Sequence, residues 1–82
     1  MKTMDDIISE CTEIYREVLQ NNEIELEEST NANDIDEWDS LNHTILLNDV
    51  QKHFNIKFKL KEIIKFKNVG DMCCLIQEKL LG

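Results

Sequence analysis

The chain predicts an all-α fold, a small four-helix bundle with three longer helices and one short third helix. Three observations carry this. Its 82 residues contain no proline and only two glycines, Gly70 and Gly82. Apolar residues recur at helical spacing in three separate stretches. No two segments of strand-like alternation are available to pair with each other.

In the first stretch, Met4, Ile7, Ile8, Cys11, Ile14, Tyr15, Val18 and Leu19 fall at i, i+3, i+4, i+7 intervals, with Glu10, Glu13 and Glu17 opposite. The pattern fades at Gln20-Asn21-Asn22. Residues 23–39 are then long, polar and acidic. Their sizeable apolar groups, Ile24, Leu26, Ile35 and Trp38, are expected to pin the segment across the bundle, with a short helical turn near Leu26. A connection of this length in a compact domain is usually functional.

A second helix is expected to begin at Ser40, with Leu41, Thr44, Leu47, Val50, Gln51 and Phe54 on one side and Leu46 adding to the buried stripe. Asn42, Ile45, Asn48, Asp49 and Lys52 fall on another side. Asn55 is the stop, because Asn accepts the left-handed conformation that ends helices. Residues 56–60 alternate like a strand but have no partner, so we read an extended segment entering a short helix at about 60–66. Asn68 caps the last helix, whose buried face is Val69, Met72, Cys73, Ile76 and Leu80.

The bulk properties narrow the function. One domain spans 1–82, and a chain this small buries only roughly 60–65% of its unfolded surface, leaving little room for a deep catalytic cleft. Net charge is −8, with −11 in residues 1–39 and +3 in residues 40–82. Such acidity argues against nucleic acid, whose phosphates call for Lys and Arg. It suits attraction to basic partner surfaces. No apolar run approaches the roughly 20 residues of a membrane span, and the N-terminus lacks a signal-peptide core, so we expect a cytoplasmic monomer. Cys11, Cys73 and Cys74 have no zinc or redox spacing and read as small apolar residues in or near a core. Lys57, Lys59, Lys61, Lys65 and Lys67 form a local basic cluster, either a solvated rim or a partner-selecting feature.

Ser40 is the candidate functional residue. A hydroxyl at a helix start is exposed, and the backbone N–H groups there favour a phosphate. Its common structural role would be the N-cap, but Asp39 supplies a second capping group. Residues 31–36 superficially suggest a calcium loop, yet no glycine stands sixth and Asn42 replaces the closing Glu. His43 lacks an orienting acid and reads as a surface histidine. Asn42-His43-Thr44 matches a glycosylation acceptor but has no secretion signal to accompany it.

Trp38-Asp39-Ser40-Leu41, followed by a helix ending in Phe54 and then by Ile56, resembles the acyl carrier protein family. First helix, acidic loop, Asp-Ser-Leu, second helix, short third helix and the Asn68-Val69 start of the fourth follow the family's order over most of the chain. The resemblance implies a bundle of acyl-carrier type and a non-catalytic carrier. Ser40 would receive 4′-phosphopantetheine from coenzyme A through a separate Mg²⁺-dependent phosphopantetheinyl transferase, which Asp39 and Leu41 help to recognise. The arm would carry acyl groups as thioesters between an acyl-loading ligase or acyltransferase and synthases or other acyl-processing enzymes. Leu47, Ile63 and Ile64 are expected to shelter an acyl chain.

The family typically lines the second helix with Glu and Asp. Here the outward positions are Asn42, Ile45, Asn48 and Gln51, and only Asp49 is acidic. Leu41, Ile45, Asn48 and Asp49 are therefore expected to select partners in a specialised fatty-acid or polyketide-type pathway. An aminoacyl or peptidyl carrier keeps the mechanism and changes the cargo. An unmodified acidic helical adaptor, with Ser40 a mere cap, is the alternative from another class.

Overall fold

The computed structural model describes residues 2–81. Among these residues four helices form in the order α1 (Met4–Leu19), α2 (Ser40–Phe54), α3 (Leu60–Ile63) and α4 (Val69–Leu81), and a 3₁₀ turn at Ala32–Asp34 interrupts the α1–α2 connection. Among the described residues there is no strand, and no helix is long and apolar enough to cross a membrane.

Helix α1 starts where its chemistry says it should. The Thr3 hydroxyl accepts from the Asp6 N–H at 3.2 Å while the Asp6 carboxylate accepts from the Thr3 N–H at 3.1 Å, a reciprocal capping box. It ends at Gln20 and α2 ends at Asn55, both in the left-handed conformation with φ of 54° and 56°. Helix α4 begins where Asn68 Oδ1 accepts from the Asp71 N–H at 2.9 Å.

Helix α1 packs on both α2 and α4. Its buried stripe is Ile7, Cys11, Tyr15 and Leu19; facing it are Leu46, Leu47, Val50 and Phe54 of α2 and Val69, Met72, Cys73 and Ile76 of α4. Hydrogen bonding to Cys73 and burial keep the Cys11 thiol protonated, and burial does the same for the Tyr15 hydroxyl. On the surface, Glu10 joins α1 to α2. Its carboxylate meets Lys2 at 2.7 Å and His53 at 2.8 Å, and those hydrogen bonds, Lys2 first, hold it below the usual carboxylate range.

The acidic connection is tied down by its own backbone and a few side chains. Arg16 Nε donates to the Ile24 carbonyl at 2.7 Å. The carbonyls of Thr30 and Glu28 accept from Val69 N–H and Gly70 N–H, both at 2.8 Å, which seats the loop on the start of α4. Ile24 and Leu26 are buried, Ile35 and Trp38 half-buried, as pins across the bundle. The helical turn lies at Ala32–Asp34 rather than near Leu26, because Asn31 and Asp34 form a capping box there.

Six further expectations are corrected. Leu41 is 72% exposed and Thr44 is exposed. At about 100° per residue, Leu41 lies roughly 180° around α2 from Val50, and the inward positions of the first turn are instead Asn42 and His43. Helix α3 stops at Ile63, short of 66, and Ile64 is 75% exposed, so it is not a core residue. Leu80 lies in the last turn of α4 and is exposed, because less of the bundle covers that turn. Cys74 is exposed as well, one position off the α4 stripe that buries Cys73.

Candidate functional site

The site is the head of α2. Asp39, not Ser40, is the N-cap, with extended backbone and a carboxylate Oδ1 that accepts from the Asn42 N–H at 2.8 Å. Ser40 is therefore the first helical residue, exposed, with its hydroxyl outside the capping arrangement. The first N–H groups of a helix have no intrahelical acceptor. Asp39 satisfies that of Asn42, which leaves those of Ser40 and Leu41 at the mouth of a 15-residue helix whose dipole favours an anion.

The loop delivers Ser40 to this position through three contacts. Asn42 Nδ2 donates to the Glu37 carbonyl at 2.8 Å. Trp38 Nε1–H donates to His43 Nδ1 at 3.0 Å, and the two rings stack with centroids 5.9 Å apart. The Trp38 ring also meets Tyr15 of α1 edge-on at 5.0 Å. Trp38 thus locks the residue pair before Ser40 to two helices at once. His43 is correspondingly not the surface histidine expected from the sequence; it is half-buried, and its Nδ1 is the acceptor for Trp38. The signal for this was a tryptophan beside the loop end, since a buried indole N–H usually finds a partner.

The partner-face residues divide. Leu41, 72% exposed, and Ile45, 40% exposed, stand one turn apart on the outward face of α2 with the exposed Asn48. Asp49 is half-buried at the edge of that face. Against Trp38 and His43 lies a cavity of about 90 Å³ lined also by Tyr15, Phe66 and Met72, with Lys67 and Asn68 at its polar side. Of the three residues expected to shelter an acyl chain, Leu47 is buried, Ile63 is half-buried and Ile64 points out.

A larger concavity, about 630 Å³, lies in the acidic connection and is lined by Glu23, Glu25, Glu27, Asp34, Asp36 and Glu37 among others. Its carboxylates would repel a phosphate, so its size does not make it the phosphate site. Among the described residues no group of His, Cys, Asp or Glu is arranged to hold a metal ion.

No protein-family model and no curated protein matches the chain. Among solved structures, the solution NMR structure of a holo acyl carrier protein from Geobacter metallireducens is similar to it with a TM-score of 0.85 and 44% sequence identity, covering 99% of this chain and 88% of that one.

Proposed function

The chain belongs to the acyl carrier protein family, and from that premise we propose that it carries acyl groups on a 4′-phosphopantetheine arm joined by a phosphodiester to Ser40. The observation that carries this reading is the division of labour at the head of α2: Asp39 caps the helix, so the Ser40 hydroxyl is exposed and uncommitted. When bound, the arm supplies a terminal thiol that holds an acyl group as a reactive thioester.

The residues present fit such a group. The N–H groups of Ser40 and Leu41 offer a positive dipole end to a phosphodiester at Ser40 Oγ. Trp38, held between Tyr15 and His43, keeps that oxygen on a fixed backbone. The proton of Ser40 Oγ must leave to a base supplied from outside, because His43 turns its Nδ1 to Trp38. The chain is thus a substrate of a phosphopantetheinyl transferase and not a catalyst, with Asp39 and Leu41 flanking the oxygen that the transferase must reach.

Leu41, Ile45 and Asn48, with Asp49 at their edge, form an apolar and amide face in place of the carboxylates that the family typically places there. Charged faces mainly steer encounter and select partners. This supports a dedicated carrier in a specialised fatty-acid or polyketide-type pathway, acting as a cytoplasmic monomer between an acyl-loading ligase or acyltransferase and acyl-processing enzymes. The 90 Å³ cavity has room for about three waters. A longer acyl chain would need the α3–α4 connection at Phe66 to draw away from Met72 of α4.

Intact mass after incubation with coenzyme A, Mg²⁺ and a broad-specificity phosphopantetheinyl transferase tests the assignment. One added phosphopantetheine is expected on the parent chain and none on Ser40→Ala. No addition to the parent, with a transferase active on another carrier, would favour the unmodified adaptor.

A further inference from the structure

The α3 edge of the bundle has a chemistry opposite to that of the chain as a whole. Leu60 and Ile64 are 76% and 75% exposed and one turn apart, the Ile64 N–H donating to the Leu60 carbonyl at 3.2 Å. Around them Lys57, Lys59, Lys61, Lys65 and Lys67 are all exposed, and none is in an ion pair among the described residues. Of the carboxylates at this edge, Glu62 and Asp71 are already engaged, while Glu28 and Glu78 stand nearer Cys74. Glu62 pairs with Lys79 at 3.2 Å and accepts from the Lys59 N–H at 2.7 Å; Asp71 accepts from the Lys67 N–H at 2.9 Å. Beside this patch, a groove of about 520 Å³ between α3 and α4 has Phe66, Leu75 and Cys74 as its apolar lining, with Lys65 and Lys67 and the carboxylates of Glu62 and Asp71 around them.

We propose that this edge is a docking surface, separate from the outward face of α2, for a partner protein that presents an apolar side chain flanked by carboxylates. The apolar group enters the Phe66–Leu75 groove and covers Leu60 and Ile64, while the carboxylates meet the lysines. A partner protein fits better than an anionic bilayer for two reasons. The groove is concave, so it takes a protruding side chain. Screening over about 8 Å at physiological salt confines a compact partner to this edge, where five lysines outnumber Glu62 and Asp71, whereas an extended anionic plane meets a molecule 34 × 25 × 22 Å in extent that carries −8 overall. Acidic carriers steered by their own carboxylates would not compete for such a partner, so the surface acts in selection.

The proposal goes beyond the carrier reading and does not depend on it, since the surface exists whether or not Ser40 is loaded. The test is a ¹⁵N NMR titration of the full chain with a synthetic helical peptide bearing a leucine stripe flanked by glutamates. The same peptide with lysines for glutamates, and phosphatidylglycerol vesicles, are run beside it. Shifts at residues 57–67, Cys74 and Leu75 are expected with the acidic peptide only, weakening with salt. Affinity is expected to fall roughly tenfold in Lys61→Glu/Lys65→Glu, with a smaller fall in Lys61→Gln/Lys65→Gln to guard against misfolding of the first variant. Equal binding of both peptides, shifts centred on Leu41 and Ile45, or binding to the vesicles instead would overturn it. Loading of Ser40, followed by mass in the same variants, is expected to stay intact.

Discussion

Replacing Asp39 and Ser40 one at a time separates the cap from the attachment oxygen. Asp39 Oδ1 accepts from the Asn42 N–H at 2.8 Å, and its charge stands at the positive end of α2. Asp39→Ala loses both, a cost of about 0.5–2 kcal/mol for a removed cap, of which about 0.3–1 kcal/mol is the charge–dipole part. Asp39→Asn keeps an acceptor and loses only the charge, so it should fall between parent and Asp39→Ala. Ser40→Ala removes a hydroxyl that caps nothing and installs a better helix former, a gain of a few tenths of a kcal/mol (~0.5 at most). Thermal unfolding of the apo proteins by circular dichroism reads these out, since about 1 kcal/mol moves Tm by roughly 4–8 °C in a domain this small. The expected order is Ser40→Ala at or slightly above the parent, then Asp39→Asn, then Asp39→Ala. If Ser40→Ala drops as far as Asp39→Ala, the hydroxyl is a working cap and the argument that it stands free for modification is wrong.

Gly70→Ala reverses the usual helix ranking. An added Cβ would stand 2.8 Å from the Glu28 carbonyl oxygen and 3.1 Å from Glu28 Cβ. The crowding, about 1–3 kcal/mol, outweighs the ~1 kcal/mol that alanine gains over glycine in a helix. Urea unfolding should show a net loss of up to about 2 kcal/mol, and a stabilised variant would mean that the loop at Glu28–Thr30 yields freely. Glu10 makes acid stability pH-dependent. Its folded-state carboxyl is held below the usual range by Lys2 and His53, so its contribution is present above the unfolded carboxylate pKa and is lost as pH falls through the folded value. Glu10→Gln should flatten that part of the stability–pH curve, and an unchanged acid limb would place the dependence on other carboxylates.

Much of the architecture was legible along the chain because it rests on local rules. The i, i+3, i+4, i+7 spacing of Ile7, Cys11 and Tyr15 bounds α1, and Asn55 and Asn68 mark the ends they were expected to mark. Asp39-Ser40-Leu41 at the mouth of a helix is equally a matter of neighbours in sequence, and both capping groups were visible there. Which of the two caps is decided by backbone placement, since only one residue can adopt the extended conformation before the first turn; Asp39 does.

The remainder came from packing across the bundle. Leu41 has the composition of a core residue, but the rotation of α2 that buries Leu46 and Val50 turns it outward. Trp38 and His43 are five residues apart, but Tyr15 lies far from both in sequence, so the brace of all three at the head of α2 required α1 and α2 to meet. The five lysines around Leu60 and Ile64 were plain in the sequence as a cluster. That they are in no ion pair among the described residues, and that Lys65 and Lys67 border a groove floored by Phe66 and Leu75 against α4, is known only once Glu62 and Asp71 have taken other partners. Sequence periodicity determines which residues share a helix face; the fold decides what covers that face, because burial is a property of the neighbours a helix meets and not of the helix alone.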